Sequence, residues 1–373
     1  MKIYFDNAAT TPLHPEVVEA MLPWMRENFG NPSSIHSFGR TTKSLIEQTR
    51  KKIADYLSVS PGEIFFTSCG TEANNTALVA GADSLGINHI ISSPLEHHSV
   101  HRTLQFLGSG RRLRTSFVNV LPDGHIDLAQ LEDLVKNNPG SMVSLMHGNN
   151  EIGNLLDIRA VSDICSRHNA IFHSDMVQTV GHFPVDLKKV KIDFISCSAH
   201  KFHGPKGTGF LYISGKRKIA PLLYGGSQEM NMRAGTENVA GIAGMGKALE
   251  IAYNNLENDK QYISDLKNYM AQKLSEAIPG IRFNGDCLGR SLYTVLNVAF
   301  PLTENSQLLL YNLDIWGIAA SGGSACASGS VSQSHVLSAL YPEDKLVSIR
   351  FSFSKYNTIQ EVDYCLEKLK GFF

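Results

Sequence analysis

The feature that most constrains the fold of this chain is an alternation of short apolar runs with helix-like segments between residues 63 and 214. Strands and helices that alternate in this way form βαβ units, which build a mostly parallel sheet covered on both faces. We therefore predict an α/β fold, with ligands at the carboxyl ends of the strands. The predicted strands are residues 63–68, 89–93, 116–120, 142–147, 170–174, 193–198 and 209–214.

The rest of the chain predicts a second, smaller lobe. Residues 237–277 are almost continuously helical and are expected to carry the chain out of the large lobe. We predict a large domain over residues 15–258 and a small domain formed by residues 1–14 and 259–373. The helix predicted over residues 12–28 is expected to pack with the smaller lobe. Strands are predicted at 293–300 and 347–353, and helices at 306–316 and 359–369.

Composition excludes several classes of protein. The chain has 34 basic and 35 acidic residues and a formal net charge of -1, which indicates no electrostatic footprint for nucleic acid or an anionic membrane. No stretch is long and apolar enough to span a bilayer, and no signal peptide opens the chain, so we expect it in the cytoplasm. The six cysteines have neither a C-x-x-C pair nor zinc-finger spacing, and no metal site is predicted.

A lysine at the end of a predicted strand is the first candidate for chemistry. Residues 196–209 read SCSAHKFHGPKGTG, with Lys201 between small and imidazole side chains and a glycine-rich turn. Partial desolvation there would free the amine for Schiff-base chemistry. Ser198 and His200 could bind a phosphate. The alternative is a solvated lysine on a loop.

Three further segments provide partners for such a lysine. Asp175, after another strand, could pair with a pyridinium nitrogen, although turn and N-cap aspartates are common. Gly70 and Thr71 open a helix, where free backbone N–H groups bind anions, although Thr71 could simply cap Asn74. His97 could stack on an aromatic cofactor; it could also form an i, i+4 metal pair with the histidine at 101, but the metalloprotease forms of that motif are missing.

Together these segments resemble the fold-type I pyridoxal-phosphate (PLP) enzymes and, within them, the cysteine desulfurase family of the class V aminotransferase group. Residues 4–12 (YFDNAATTP), 31–36 (NPSSIH), 147–153 (HGNNEIG) and 233–237 (RAGTE) are similar to that family too, and the resemblance runs from about residue 3 to past residue 350 in the family's order. It implies a large domain with a mostly parallel seven-stranded sheet and a smaller α+β domain.

The resemblance also implies roles around the cofactor ring. Lys201 would be the Schiff-base lysine, and His97 would stack on the ring and take part in catalysis. Asp175 and Gln178 would contact the pyridine side. Asn150 would lie beside the phenolic oxygen and the substrate.

At the phosphate end, the resemblance implies a second group of contacts. The residues expected to surround the phosphate are Gly70, Thr71, Ser198 and His200. Thr236 matches a position that reaches the phosphate of the neighbouring subunit, which implies a homodimer with active sites built from two chains.

One cysteine lies in a run of small residues, 320–330 (ASGGSACASGS). From composition alone, Cys326 is equally a structural thiol or a thiolate nucleophile on an exposed loop. The resemblance implies that it is the catalytic cysteine. Gly323 and Ala327 depart from the serine and threonine more often expected there, which bears on the sulfur acceptor and on turnover.

An arginine inside an apolar strand, Arg350, requires a carboxylate partner. An internal salt bridge would satisfy it, whereas the resemblance assigns it to the α-carboxylate of the substrate. The implied reaction removes sulfur from L-cysteine, giving L-alanine and a persulfide on Cys326. The sulfur would pass to an acceptor protein, such as a scaffold for iron–sulfur cluster or other thio-cofactor synthesis.

Other functions are weighed against this one. An aminotransferase or a selenocysteine lyase would share the fold, and a catalytically silent scaffold for sulfur transfer would share the partners. Residues 241–248 (GIAGMGKA) nearly match a P-loop, but the final hydroxyl is missing and the segment lies in a helical run rather than after a strand. Small residues that allow close helix packing explain it better.

Overall fold

The computed structural model of the chain describes residues 2–110, 113–322, 334–343 and 346–373. Cys326 lies outside the described residues, as do Gly323 and Ala327. The chain opens with a short strand, β1 (Ile3–Tyr4), which belongs to the smaller lobe.

A seven-stranded sheet organises the large lobe. Its order is β2-β8-β7-β6-β5-β3-β4, and β8 is antiparallel to both of its neighbours while the other described pairs are parallel. Every residue of the strands other than β4 is buried, which suits a sheet covered on both faces. The predicted mostly parallel α/β sheet is confirmed. The strands are β2 (Ile64–Thr67), β3 (His89–Ser92), β4 (Arg114–Phe117), β5 (Met142–Ser144), β6 (Ile171–Asp175), β7 (Phe194–Ser198) and β8 (Gly209–Ile213).

Helices cover both faces because consecutive strand residues point to opposite sides. Phe172 and Ile195 belong to one apolar core, and Ile171 and Phe194 to the other. No helix within the described ranges is long and apolar enough to cross a membrane. The helices are α1 (Pro15–Arg26), α2 (Ser37–Leu57), α3 (Gly70–Asn75), α4 (Gly81–Leu85), α5 (His98–Gly110), α6 (Leu128–Lys136), α7 (Ile158–Arg167), α8 (Val239–Asn254), α9 (Leu256–Ala277), α10 (Leu309–Ile315), α11 (His335–Leu340) and α12 (Ile359–Lys370).

Helix α1 packs on α8 in the large lobe, so the expectation that it packs with the smaller lobe is wrong. Val17 of α1 is fully buried in a large-lobe core. The contact depends on a small residue of α8, because a Cβ atom on Gly244 would lie 2.7 Å from Met21 Sδ of α1. Gly246 serves the packing of α2 in the same way, since a Cβ atom there would lie 2.8 Å from Thr49 Cγ2. The segment that resembles a P-loop is therefore a helix whose glycines permit close packing.

The smaller lobe is built around an antiparallel sheet in which β10 (Val295–Phe300) lies between β9 (Arg282–Phe283) and β12 (Val347–Ser352). Strand β1 pairs in parallel with β11 (Ile318–Ala319). Ile3 and Phe5 join the apolar core that otherwise contains residues from 263 onwards. We propose the division into a domain of residues 15–258 and a domain of residues 1–14 and 259–373. The N-terminal segment also places residue 6 beside β12.

Candidate active site

The carboxyl ends of the central strands open into a cleft of about 220 Å³ that also contacts the smaller lobe. Asp175 ends β6 and Ser198 ends β7, and the predicted phosphate segment follows β2. Parallel strands gather such residues at one edge of a sheet. The predicted site residues that line the cleft are Gly70, Thr71, His97, Asn150, Asp175, Gln178, Ser198, His200, Lys201 and Arg350.

The amine of Lys201 lies in this cleft and not on a solvated loop. A short 3-10 turn after β7 carries the residue, and its Nζ atom donates to the carbonyl oxygens of Ala8 (2.6 Å) and Ala9 (2.7 Å). The Gln178 side chain donates to the same Ala8 oxygen at 3.0 Å. From behind, His182 Nε2 donates to the Lys201 carbonyl at 3.0 Å, which fixes the turn. The N-terminal segment therefore forms one wall of the site.

Asp175 is buried and held by two donors. Its Oδ1 accepts from the Val177 backbone N–H at 3.0 Å. This is the kind of local bond expected for an aspartate in a turn. Its Oδ2 accepts from Asn74 Nδ2 at 2.6 Å, and the same amide donates to Ser99 Oγ at 2.8 Å. Asn74 was missed in the sequence, where it was considered only as the residue that Thr71 might cap. These bonds orient a carboxylate towards the cleft.

The His97 ring also faces the cleft. Its Nδ1 accepts from the Ser99 backbone N–H at 3.1 Å and lies 2.8 Å from Ser99 Oγ. Burial lowers the pKa of His97, with Lys201 acting in the same direction against Asp175, so the ring is neutral at neutral pH. A neutral, flat and fixed ring suits stacking on an aromatic ligand.

The predicted phosphate end lies where β2 enters α3. Cys69 precedes the helix, so Thr71 lies inside its first turn and is not the cap. The N–H groups of a first helical turn have no partner within the helix and face an anion. Glycine at position 70 is required by packing, because a Cβ atom there would lie 2.5 Å from Val177 Cγ2. Burial lowers the pKa of His200 to about 4, so this side chain would act as a neutral donor.

Arg350 has the internal ion pair that its sequence context allowed. It is 1% exposed, and its Nη2 donates to Asp6 Oδ1 at 2.7 Å while its Nη1 donates to the Asn150 carbonyl at 2.8 Å. Ser321 Oγ donates to the same Asp6 oxygen at 2.8 Å. The Nε atom of Arg350 is buried and has no partner among the described residues. Asp6 belongs to the segment of residues 4–12 that resembles the family, but nothing in that segment predicts its contact with Arg350.

A buried acid behind the cleft was also missed. Glu96 is 1% exposed, and its Oε1 accepts from the Met146 N–H at 2.7 Å. Burial raises the pKa of this carboxyl well above its usual range. Its backbone carbonyl accepts from His335 Nε2 at 2.9 Å. The only sequence signal is its position immediately before His97.

Two predicted residues are not found in the cleft. Thr236 is exposed on a loop between β8 and α8. Cys326 cannot be placed, because it lies outside the described residues. On one side of the undescribed segment Ser321 bonds to Asp6, and on the other side Ser334 Oγ contacts Glu151, which lines the cleft.

The donor set in the cleft fits PLP. A carboxylate suits a pyridinium nitrogen, a flat imidazole suits the ring face, an amine suits the aldehyde, and a helix start suits the phosphate. Asn74 Oδ1 and Arg350 Nε, both buried without partners in the described chain, provide unused hydrogen-bonding capacity in the wall. Within the described ranges no three His, Cys, Asp or Glu residues are arranged to hold a metal ion.

Comparisons with known proteins agree with this geometry. The family model "Aminotransferase class-V" matches residues 3–365. Cysteine desulfurase IscS of Dictyoglomus turgidum is 44% identical over 373 residues, covering 99% of this chain and 94% of the relative. Among solved structures, a NifS-like protein is 37% identical with a TM-score of 0.91, covering 100% and 99% of the two chains. SspA in complex with cysteine is 30% identical with a TM-score of 0.84, covering 96% and 100%. Since the match spans nearly the whole length, this chain belongs to the cysteine desulfurases of the class V aminotransferase family, which are PLP-dependent enzymes.

Proposed function

We propose that this enzyme removes sulfur from L-cysteine, giving L-alanine and a persulfide on Cys326 that is passed to an acceptor protein. The observation that carries the proposal is the cleft itself, where an amine (Lys201), a carboxylate (Asp175), a neutral imidazole (His97) and a buried guanidinium (Arg350) face one space. The relative named SspA was solved with cysteine, which supports the same substrate here.

The proposed cofactor contacts follow the geometry of the cleft. Lys201 would hold PLP covalently, His97 would cover the ring, and Asp175 would pair with the ring nitrogen. Gln178 and Asn150 would flank the ring on the pyridine and phenolic-oxygen sides. The proposed phosphate contacts are Gly70, Thr71, Ser198 and His200. When bound, PLP supplies a conjugated ring that withdraws electrons from the α-carbon of the substrate.

Arg350 would hold the α-carboxylate of the substrate. Its Nε, which has no partner among the described residues, and one Nη nitrogen offer the parallel pair of donors that a carboxylate accepts. Because Nη2 is bonded to Asp6, the substrate and Asp6 compete for this guanidinium. The Lys201 amine, which lies in the same cleft, would take the proton from the α-carbon of the substrate.

Sulfur transfer would be carried out by Cys326. Its thiolate attacks the sulfur of the substrate, so that an S–S bond forms and the C–S bond breaks. The electron pair stays with the substrate carbon, which is protonated to give alanine. The terminal sulfur of the persulfide then passes to a thiol of the acceptor.

The proposal is tested with two variants. Cys326→Ala should retain the yellow colour of the bound cofactor and lose alanine formation from cysteine, whereas Lys201→Ala should lose both. An aminotransferase would keep its activity in Cys326→Ala. Alanine release from that variant at the wild-type rate would contradict the proposal, and competition between cysteine and selenocysteine would identify a selenocysteine lyase.

We also propose a homodimer in which Thr236 reaches the neighbouring subunit's phosphate. Large apolar side chains are exposed near the N-terminus: Ile35 is 91% exposed and Phe29 is 74% exposed, with Phe29 stacked on Phe38 at 5.6 Å. Large apolar side chains exposed this close together in sequence support an interface at this segment. Light scattering should give twice the chain mass, and Ile35→Asp should shift the mass towards the monomer, whereas the exposed Ile359→Asp should not.

The acceptor would be a protein thiol, such as that of an iron–sulfur scaffold, or a carrier for another thio-cofactor. We propose a cytoplasmic location, because a thiolate nucleophile must remain reduced. Five cysteines of the described chain are free, and the buried ones have raised pKa values, as for Cys165 at about 12, so they are unreactive.

A further inference from the structure

A loop that we call the arm, residues 223–237, joins β8 to α8 and has an unusual backbone. Three consecutive residues other than glycine have left-handed φ angles: Glu229 (45°), Met230 (56°) and Asn231 (66°). Such conformations persist only where the surroundings enforce them. Tyr224, on the same arm, is 81% exposed and therefore does not hold the backbone in this conformation. Other residues of the arm must do so.

The first anchor of the arm is a buried ion pair. Glu229 is 2% exposed, and its two oxygens accept from Arg50 at 2.8 Å each. One of these oxygens also accepts from the Phe66 backbone N–H at 2.8 Å. Arg50 is 1% exposed and lies over the Phe66 ring at 4.7 Å. The left-handed turn is therefore fixed to β2.

The second anchor lies four residues further along the arm. Arg233 Nε donates to Glu72 Oε1 at 2.9 Å, and Glu72 Oε2 accepts from the Ser68 N–H at 2.9 Å. Glu72 belongs to the first turn of α3, which begins with the proposed phosphate contact Gly70. The arm is therefore attached to the phosphate segment of its own chain.

Beyond this anchor the arm leads to Thr236 and Glu237. Thr236 is exposed and does not line the cleft. Glu237 Oε2 is buried and has no partner within the described chain. The shape of the arm is thus set by bonds inside one chain, while Thr236 is not among the described residues that line the cleft of that chain.

We propose that Glu229 and Arg233 are positioning residues for the active site of the partner subunit. Through Arg50 and Glu72 they hold the arm in the shape from which Thr236 reaches the cofactor phosphate across the dimer. This inference rests on the proposed homodimer and on the proposed PLP contacts. It adds that the arm already has the conformation from which Thr236 reaches the partner before the dimer forms.

Mixed dimers test this inference. The two kinds of subunit carry different affinity tags, so that dimers with one working site can be purified. One subunit carries Lys201→Ala and the other keeps its lysine. Arg233→Gln is placed either on the Lys201→Ala subunit or on the working subunit, and PLP affinity of the working site is measured by absorbance. With the change on the Lys201→Ala subunit, the dissociation constant should rise about tenfold, the loss expected for one hydrogen bond to a charged group. On the working subunit it should rise less than about threefold.

A matched ion pair provides the control. Arg217 pairs with Asp193 at 2.7 Å, and this pair is about as exposed as Arg233 and Glu72. Asp193 also accepts from the backbone N–H of Phe172, as Glu72 accepts from that of Ser68. Arg217→Gln should leave PLP affinity unchanged on either subunit, and Arg233→Lys should recover part of the loss. If Arg233→Gln changed PLP affinity equally in the two placements, or more on the working subunit, this inference would be overturned while the proposed function and dimer would stand. A monomeric mass would remove the proposed dimer, and the inference with it.

Discussion

Replacing Asp6 with asparagine separates the two partners that compete for Arg350. The guanidinium is 1% exposed, and Asp6, which is partly exposed, lies 2.7 Å from it. At an effective dielectric constant of about 20, the attraction is about 6 kcal/mol before desolvation. Removing one partner of a buried pair costs about 3–5 kcal/mol. Because asparagine keeps an acceptor oxygen and the site is partly wet, we expect a loss of about 2 kcal/mol in the free energy of unfolding.

The same change should strengthen substrate binding. In Asp6→Asn the α-carboxylate of cysteine supplies the negative charge that Arg350 has lost, so about 2 kcal/mol returns on binding. This corresponds to an affinity for cysteine about thirtyfold higher. Cysteamine, which has the thiol and the amine but no carboxylate, should bind with unchanged affinity.

The assay uses PLP-loaded enzyme carrying Cys326→Ala, so that cysteine binds without completing sulfur transfer. Dissociation constants for cysteine and cysteamine are measured by calorimetry, and stability is measured by urea unfolding without either ligand. The reasoning is refuted if stability falls while cysteine binds no tighter, or if cysteamine gains as much as cysteine.

Three further predictions concern stability and packing. Burial lowers the pKa of His173 to about 4, whereas the imidazole of the unfolded chain titrates near 6.5. The contribution of His173 to the free energy of unfolding is therefore complete above about pH 6.5, and up to about 3 kcal/mol of it is lost as the pH falls to 4. In urea unfolding, the stability of His173→Gln should fall less steeply with acid than that of the wild type, and an identical decline would contradict this. Glu229→Gln removes the buried charged partner of Arg50, whose guanidinium keeps only the exposed Glu47 at 3.1 Å as a charged partner among the described residues. It should cost about 3 kcal/mol in the same assay, against less than about 0.5 kcal/mol for the exposed Lys51→Gln, and equal costs would contradict the burial argument. Gly70→Ala should weaken PLP binding about tenfold in an absorbance titration, and Val177→Ala in the same chain should restore it; failure of this rescue would mean that the contact is not the cause.

The strands of the large sheet could be predicted because buried parallel strands are short, uniformly apolar runs. The position of β4 was less accurate: residues 116–120 were predicted, and Arg114–Phe117 is found, because this edge strand is partly exposed and has a weaker apolar pattern. The antiparallel direction of β8 has no counterpart in a pattern of hydrophobicity, since direction depends on the path of the connecting chain. The packing of α1 depends on a fit between Met21 and Gly244, which periodicity does not contain.

In the candidate site, too, some features could be predicted from the sequence and others could not. Residues at strand ends, such as Asp175 and Lys201, could be predicted to converge because the sheet geometry brings those ends together. The partners that hold them are distant in sequence: Asn74 is 101 residues from Asp175, and Asp6 is 344 residues from Arg350. Such pairs depend on how distant segments pack together in three dimensions and carry no local signal.

The most direct test is to follow sulfur from labelled cysteine. PLP-loaded enzyme is mixed with one equivalent of cysteine carrying heavy sulfur, quenched with an alkylating agent, digested and analysed by mass spectrometry. We predict one additional heavy sulfur atom on the peptide containing Cys326, with an equal amount of alanine, and neither product from Lys201→Ala. Alanine without labelled sulfur on that peptide, or labelled sulfur on another cysteine, would contradict the proposed reaction.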